Sequence, residues 1–244
     1  MICQIWGVDM KCKKYMQGLF CVYCLVLLGI TFPGLFSSKN KLYTENMSEE
    51  ISSVEINVKP KIALTFDDGP NKKHTPVLLD GLKERGVRAT FFLIGENIEM
   101  EENHKIVKRM YEEGHLIGNH TYSHIEISKV NNDIAMAELE KTNQLIHNIT
   151  GEKVEFMRPP FGAWQKTLEQ KIDMIPVMWT VDPLDWTTAN TEEIVNKVVT
   201  EVEENDIILL HDCYESSVQA ALRIVDLLQA EGYEFVIVDE FILE

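Results

Sequence analysis

The chain has 244 residues, of which 45% are hydrophobic and 25% are charged. This composition fits one globular domain with a substantial core and excludes a mainly disordered chain. The formal net charge of -16 argues against nucleic-acid binding, which usually requires a basic surface.

The most apolar stretch of the chain lies at residues 15–36 and follows three lysines within residues 11–14. Basic residues before an apolar run are typical of a secretion signal, which is either cleaved or retained as a membrane anchor. We interpret residues 1–36 as such a segment and favour the retained anchor, which puts the following chain outside the cytoplasm. The polar and acidic residues 37–58 are interpreted as a linker to one domain, residues 59–244.

From Pro60 onward, short apolar runs alternate with amphipathic segments, which predicts alternating strands and helices. The predicted strands cover residues 61–66, 88–94, 115–118, 154–157, 176–181, 206–210 and 233–238. The predicted helices cover residues 75–85, 98–113, 130–150, 191–203 and 218–231, with a short one at 165–171. Because the strands are continuous apolar runs, we expect an α/β fold with a parallel sheet covered by helices. About seven strands favour a distorted or incomplete β/α barrel, in which the functional site forms at the carboxyl ends of the strands.

Two carboxylates, Asp67 and Asp68, follow the first predicted strand and precede Gly69 and Pro70. Adjacent side chains on a strand point to opposite faces, so both carboxylates can serve one site only if the chain turns there. Gly69 and Pro70 are predicted to supply that turn. Two neighbouring carboxylates also need a cation or an arginine to remain ionised together. An ordinary Asp-Gly turn is the alternative interpretation of this segment.

Two histidines, His120 and His124, follow the short strand predicted at 115–118. Because they are four residues apart, they are predicted to share one face of a helical turn and to bind one metal ion together. With a carboxylate from Asp67 or Asp68 they give an Asp-His-His set, which is typical of catalytic zinc sites, although nickel, cobalt or iron would also fit. A pair of ordinary surface or core histidines is the alternative.

Two further predicted strands are followed by side chains that suit the binding of a carboxylate or of a sugar. Arg158 is followed by two prolines that fix the loop, and its guanidinium is suited to binding a carboxylate. Asp182, Asp185 and Trp186 follow the strand predicted at 176–181. An aromatic ring beside carboxylates suits a sugar, whose faces are apolar and whose edges are polar. The alternatives are a proline turn with a solvent-exposed arginine and a helix cap.

His211 follows directly on the strand predicted at 206–210. A histidine at that place can act as a general acid if a carboxylate orients it and raises its pKa, whereas a lone histidine is more often a core residue. Cys213 is the one cysteine of the predicted domain, so a disulfide inside the domain is excluded. We interpret Cys213 as a packing residue, with sensitivity to oxidation as the alternative.

Taken together and in order, these segments resemble the five motifs of the polysaccharide deacetylase family, also called the NodB-homology domain or carbohydrate esterase family 4. The motifs are residues 65–69, 120–124, 158–162, 182–186 and 209–212. The resemblance covers nearly the whole predicted domain. It implies a distorted (β/α) barrel that removes acetyl groups with the help of a metal ion.

The resemblance implies metal-binding and proton-accepting roles for the first three motifs. Asp68, His120 and His124 would bind one divalent metal, usually zinc, with Co²⁺, Ni²⁺ or Fe²⁺ as alternatives. Asp67 would be the general base, and Arg158 would hold it in place.

The remaining positions are implied to donate a proton or to bind substrate. His211 would be the general acid, oriented by Asp185. The backbone N–H of Phe161 would help to stabilise the oxyanion, and Trp186 and Leu209 would line the pocket for the acetyl methyl group. Three more residues fall in matching segments: Asp182, as a substrate-binding position, His74 and Asn119.

An extracytoplasmic location and a short domain without carbohydrate-binding repeats favour N-acetylglucosamine or N-acetylmuramic acid units of peptidoglycan as the substrate. Chitin oligosaccharides and acetylxylan are the alternatives within the family. The alternative from another class is a non-catalytic carbohydrate-binding wall protein. Such a protein is expected to have lost Asp67, a metal ligand or His211, and the sequence retains all of them.

Overall fold

Seven parallel strands and the helices around them form the part of the chain that this computed structural model describes, residues 59–242. The strands are β1 (Lys61–Gly69), β2 (Thr90–Leu93), β3 (Leu116–Asn119), β4 (Phe156–Met157), β5 (Ile175–Pro176), β6 (Ile207–His211) and β7 (Glu234–Val236). Their order in the sheet is β5-β4-β3-β2-β1-β6, and β7 pairs with the start of β1. An isolated bridge between Val181 and Ile208 connects the chain after β5 to β6. This arrangement agrees with the predicted distorted or incomplete β/α barrel.

The helices in the described range are α1 (Thr75–Glu84), α2 (Gly95–Glu99), α3 (Glu101–Glu112), α4 (Asn132–Thr150), α5 (Thr191–Glu201), α6 (Glu215–Ala230) and α7 (Asp239–Ile242). The longest, α4, has clear local signals at both ends. The Asn131 side chain accepts a hydrogen bond from the Ile134 N–H at its start, and Gly151 ends it with a φ of 79°. Of these helices, none combines the length and the apolar character needed to cross a membrane.

The central strand β1 separates two apolar layers. Leu64 and Phe66 pack in the large cluster beneath the helices, whereas Ala63 belongs to a smaller cluster on the other face of the sheet. Each fully buried leucine or phenylalanine contributes about 1.5–3 kcal/mol to folding. Because side chains alternate along a strand, Thr65 and Asp67 share the face of Ala63. The polar end of β1 is therefore directed away from the helix-covered layer.

The helix predicted at 98–113 is interrupted, and the prediction of one continuous helix was wrong. Met100 lies between α2 and α3 in an extended conformation, with φ -66° and ψ 115°. The Asn103 side chain donates a hydrogen bond to the Asn97 carbonyl at 2.8 Å, which satisfies a group freed by the break.

The strand predicted at 176–181 is much shorter than expected, since β5 ends at Pro176. The Arg158 guanidinium donates hydrogen bonds to the carbonyls of Val177 and Met178, at 3.1 and 3.2 Å. Those carbonyls therefore bind a side chain instead of extending the sheet. The short helix predicted at 165–171 is a single 3₁₀ turn, Lys166–Leu168.

The interpretations of residues 1–36 as an anchor or signal and of 37–58 as a linker lie outside the described residues. They remain predictions. The described residues, 59–242, belong to one compact unit.

Candidate active site

The end of β1 brings both neighbouring carboxylates toward one site. Asp68 has a φ of 71°, and the pairing of β1 with β2 shifts by one residue between Asp67 and Gly69. This local irregularity breaks the strict alternation of side chains, so Asp67 and Asp68 are not forced to opposite faces. The change of direction that the sequence placed at Gly69 and Pro70 is thus preceded by an irregularity at Asp68, still inside β1.

The two histidines lie on an irregular loop, so the predicted helical turn was wrong. Thr121 and His124 both have a positive φ, 63° and 56°. His120 is buried, and its Nδ1 lies 2.7 Å from the Arg158 carbonyl oxygen. Because a carbonyl can only accept, Nδ1 carries the proton and Nε2 keeps its lone pair for another partner.

Asp68, His120 and His124 meet at one point. Asp68 Oδ1 lies 3.5 Å from His120 Nε2 and 3.3 Å from His124 Nε2. One ligand atom from each residue falls within 4.8 Å of the others, and the described residues contain this one group of that kind. Asp68 Oδ1 is buried and has no hydrogen-bond partner in the described part of the chain. A buried oxygen without a donor, facing two imidazole nitrogens, fits a divalent cation.

The charge state of His124 is compatible with metal binding. Burial lowers the pKa of His124, and the opposing charge of Asp68 does not cancel this effect. The imidazole therefore favours its neutral form, which is the form that can donate a lone pair to a metal ion.

Asp67 is paired with a fully buried arginine. Arg158 Nη1 lies 2.8 Å from Asp67 Oδ1 and 2.7 Å from Thr65 Oγ1, and Arg158 Cζ lies 4.3 Å from the ring centroid of Phe92. Arg158 is 0% exposed, which excludes the alternative of a proline turn with a solvent-exposed arginine. A buried pair held by several hydrogen bonds fixes the Asp67 carboxylate in one orientation.

His211 is paired with a buried carboxylate of its own. Its Nδ1 lies 2.8 Å from Asp185 Oδ1, and its backbone N–H donates to Asp185 Oδ2 at 2.9 Å. Burial alone lowers the pKa of His211, but the hydrogen bond and charge of Asp185, with the charges of Asp67 and Asp68, raise it to about 9. His211 is therefore a protonated imidazolium at neutral pH.

One cavity of about 420 Å³ is lined by the proposed base, the candidate metal ligands and the proposed acid: Asp67, Asp68, His120, His124 and His211. The four predicted substrate-binding residues, Phe161, Trp186, Leu209 and Asp182, all belong to its lining. Phe161 and Trp186 are 67% and 57% exposed, whereas Leu209 is buried. Phe161 has a φ of 62°, and its ring centroid lies 4.8 Å from that of His124.

Three further residues line this cavity that we did not assign from the sequence, namely Trp179, Leu184 and Tyr214. Leu184 lies inside a recognised motif; it is exposed and has a φ of 57°, and a residue pattern reveals neither property. Tyr214 stands three positions after His211, and this closeness to a candidate acid is the signal that could have suggested it. His74 and Asn119 are not among the lining residues.

Fold and site together define an α/β protein whose seven parallel strands agree with a distorted β/α barrel, with Asp68, His120 and His124 grouped at the carboxyl ends of the strands. Comparison with known proteins identifies the family. The family model described as polysaccharide deacetylase matches residues 55–177, and this chain belongs to that family.

Two curated relatives and one solved structure illustrate the similarity. A peptidoglycan-N-acetylglucosamine deacetylase of Bacillus cereus is 40% identical over 188 residues, which are 73% of this chain and 66% of the relative. The peptidoglycan-N-acetylmuramic acid deacetylase PdaC of Bacillus subtilis is 35% identical over 208 residues, which are 83% of this chain and 44% of the relative. The solved structure of PdaC superposes with a TM-score of 0.72 at 35% identity, covering 75% of this chain and 89% of that structure. The chain thus spans less than two thirds of the length of either relative.

Proposed function

We propose that this protein is a metal-dependent polysaccharide deacetylase. It hydrolyses the N-acetyl groups of N-acetylglucosamine or N-acetylmuramic acid units in peptidoglycan and releases acetate. One observation carries the proposal: a single cavity is lined by an Asp-His-His group that could hold a cation, by a carboxylate fixed by an arginine and by an imidazole fixed by a carboxylate. The names of the similar proteins support peptidoglycan as the substrate.

Asp68, His120 and His124 would hold one divalent cation. We propose zinc, because two imidazoles and one carboxylate with positions left open form a typical catalytic zinc set, and Co²⁺, Ni²⁺ or Fe²⁺ would accept the same ligands. When bound, such a cation supplies Lewis acidity toward an amide carbonyl and toward water.

Asp67 would act as the general base. Arg158 occupies its Oδ1, whereas Oδ2 lies 3.7 Å from His120 Nε2 and therefore faces the site. Oδ2 accepts a proton from the water that attacks the acetyl carbonyl carbon. Arg158 keeps the carboxylate aimed without competing for that oxygen.

His211 would act as the general acid. An amine is a poor leaving group unless its nitrogen is protonated, so cleavage of the C–N bond needs a donor beside it. With its pKa raised to about 9, His211 holds that proton at neutral pH. As the C–N bond breaks, the proton moves to nitrogen, and the products are acetate and a free amino sugar.

The cavity walls would bind the sugar and its acetyl group. The exposed rings of Phe161 and Trp186 offer apolar faces to a sugar ring, and the buried Leu209 offers an apolar contact for the acetyl methyl. The Asp182 carboxylate, which already accepts a hydrogen bond from the Leu184 N–H at 2.8 Å, provides a polar edge. We propose the Phe161 backbone N–H as a donor to the developing oxyanion.

Acetate release from three acetylated polymers tests this proposal. The zinc-loaded chain would be offered peptidoglycan, an N-acetylglucosamine oligomer and acetylxylan, with Asp67→Asn as the blank. Release from peptidoglycan, located on a sugar by mass spectrometry, supports the proposal and identifies the sugar. Acetate release from the oligomer alone or from acetylxylan alone would mean that this polymer, and not peptidoglycan, is the substrate. If the metal-bound protein released no acetate from any of the three, a non-catalytic carbohydrate-binding role would be favoured.

We also propose that the enzyme acts outside the cytoplasm, since its proposed substrate is a wall polymer. Residues 1–36 would deliver it there, either as a retained membrane anchor or as a cleaved signal. Membrane fractionation followed by amino-terminal sequencing of the mature protein distinguishes these two outcomes.

A further inference from the structure

The loop that carries both histidine ligands, residues 120–124, has a backbone that its own sequence does not favour. Thr121 and His124 have φ values of 63° and 56°. Side chains other than glycine rarely adopt this left-handed region, and they remain there only when their surroundings impose it. The contacts that impose this conformation therefore help to determine where His120 and His124 point.

Glu138 makes the densest set of these contacts. Its Oε2 accepts hydrogen bonds from the N–H groups of Tyr122 and Ser123, at 3.0 and 2.7 Å, and its Oε1 accepts one from Ser123 Oγ at 2.9 Å. All three donors belong to the loop, while Glu138 itself lies on the long helix α4. One half-buried carboxylate thus fixes the segment between the two histidines to a rigid element.

A second connection runs from the same helix to the start of the loop. Asn119 Nδ2 donates to the Leu139 carbonyl and to Asn143 Oδ1, at 2.8 and 2.7 Å. Asn119 Oδ1 accepts a hydrogen bond from the Thr121 N–H at 2.7 Å. Helix α4 therefore holds the loop before and between its histidines, although it contributes no residue to the cavity lining.

We propose that Glu138 is a positioning residue that preorganises His120 and His124 for the metal ion. This inference rests on the proposed function, because it concerns the same metal site. An ionised carboxylate accepts all three hydrogen bonds with the help of its charge, whereas a neutral glutamine keeps one amide oxygen for the two backbone N–H groups and turns its NH₂ group toward Ser123 Oγ, which must then accept instead of donate. Losing the carboxylate lets the loop relax from its left-handed conformation, so zinc binding must then restore the order that Glu138 supplied.

The test compares zinc affinity in three variants of the full chain. Zinc is titrated in competition with a coloured chelator, and melting of the metal-free protein is recorded beside it. Glu138→Gln is expected to weaken zinc binding about tenfold, and Glu138→Ala about a hundredfold. Glu140→Gln, an exposed position on the same helix, is the matched control and should stay within about twofold of the wild type.

Each outcome decides the proposal. If both Glu138 variants melt earlier without metal yet bind zinc as tightly as the wild type, Glu138 is only a structural residue and the inference fails. It also fails if Glu140→Gln weakens zinc binding as much as Glu138→Gln does. Because the assay needs no substrate, a wild type that binds zinc but releases no acetate would overturn the proposed function and leave the role of Glu138 in place.

Discussion

At the scale of single residues, the proposed base offers the most direct test. Asp67→Asn keeps the size of the side chain but cannot accept a proton from water. We expect kcat to fall by about 10²–10⁴-fold, the usual contribution of a general base. Zinc affinity should be nearly retained, since the proposed metal ligands are Asp68, His120 and His124. Acetate release and zinc titration on the same preparation measure both quantities, and full activity of Asp67→Asn would exclude Asp67 as the base.

The proposed acid predicts a pH dependence. Asp185 is the main group that opposes burial and raises the pKa of His211 to about 9. The reaction needs the protonated form, so the wild type should lose kcat/KM as pH rises through the pKa of His211, which Asp185 raises. Removing the Asp185 charge lowers the pKa of His211, so in Asp185→Asn this loss should begin at a lower pH.

Profiles of kcat/KM against pH for the wild type, Asp185→Asn and the control Glu140→Gln measure this shift. If Asp185→Asn is slower at every pH but loses kcat/KM over the same alkaline pH range as the wild type, Asp185 does not set the pKa of His211.

Cys213 lies two residues after the proposed acid and should be unreactive. Burial, followed by the charges of Asp68, Asp212 and Asp185, raises the pKa of the Cys213 thiol to about 12. The thiolate is the reactive form, so alkylation at neutral pH should be very slow in the folded protein. Mass spectrometry after iodoacetamide treatment should find Cys213 modified in denaturant and unmodified without it. Rapid modification of the native protein would instead support the alternative that Cys213 is sensitive to oxidation.

The sequence indicated which residues lie close together in the site, but it did not indicate the backbone conformations that bring them together. Asp67, Asp68 and His211 could be found because each follows a recognisable buried strand. The left-handed conformations of Asp68 and His124 could not be predicted, because neither residue type requires them. They arise from contacts with distant residues, which a local pattern does not contain.

At the scale of strands and helices, the largest error of the prediction concerns the strand expected at residues 176–181, and it also arises from contacts with distant residues. The apolar residues 176–181 have the pattern of a strand, yet only Pro176 of this range belongs to β5, and the carbonyls of Val177 and Met178 bind Arg158. Strand propensity describes only what a segment prefers by itself. The charged guanidinium of Arg158 offers these carbonyls stronger hydrogen bonds than a neighbouring strand would, so the segment does not continue the sheet. The elements whose own ends carry capping signals, such as α4, were predicted with nearly correct bounds.

We expect the protein to lose stability in acid because of His115, which lies just before β3. His115 is buried, and its Nδ1 accepts a hydrogen bond from the Ala89 N–H at 3.0 Å just before β2. Burial lowers the pKa of His115 from 6.5 to about 4, an effect that the charge of Glu113 only partly offsets. Between these two values the unfolded chain binds a proton that the folded chain does not. Stability is therefore complete above pH 6.5 and falls as pH decreases toward 4, by about 3 kcal/mol in total from this group.

Urea unfolding at pH 7 and at pH 4.5 measures this contribution. His115→Gln keeps a side-chain oxygen that can accept from Ala89 but does not titrate. We expect it to lose less stability than the wild type over this interval. Equal losses in the two proteins would mean that His115 does not contribute to acid sensitivity.

At the scale of the whole molecule, the parallel pairing of the strands brings the residues of the site together. Asp67 of β1 pairs with His211 of β6 and with Phe92 of β2, so the proposed base and acid lie side by side although they are far apart in sequence. A sequence that alternates strands and helices predicts that strand ends share one edge, and this expectation was correct. Which ends become neighbours depends on the strand order, and that order follows from packing of the entire chain.

Because the proposed metal site would draw its ligands from two separate segments, a bound cation should stabilise the whole domain. Asp68 belongs to β1, whereas His120 and His124 follow β3, so these ligands come together only in the folded chain. At a zinc concentration about 100 times the Kd, binding adds about 2.7 kcal/mol to the free energy of unfolding. In a domain of this size, each kcal/mol raises Tm by about 2–4 °C, so zinc should raise it by about 5–11 °C. Chelation should reverse the rise.

His124→Ala is the informative variant, because His124 is only half-buried and its loss should leave the metal-free fold intact. We expect this variant to melt near the metal-free wild type and to show little further rise with zinc. The control Glu140→Gln should show the full rise. If His124→Ala gained as much from zinc as the wild type, the stabilising ion would be bound elsewhere, and the Asp68, His120 and His124 site would have to be abandoned as the metal centre.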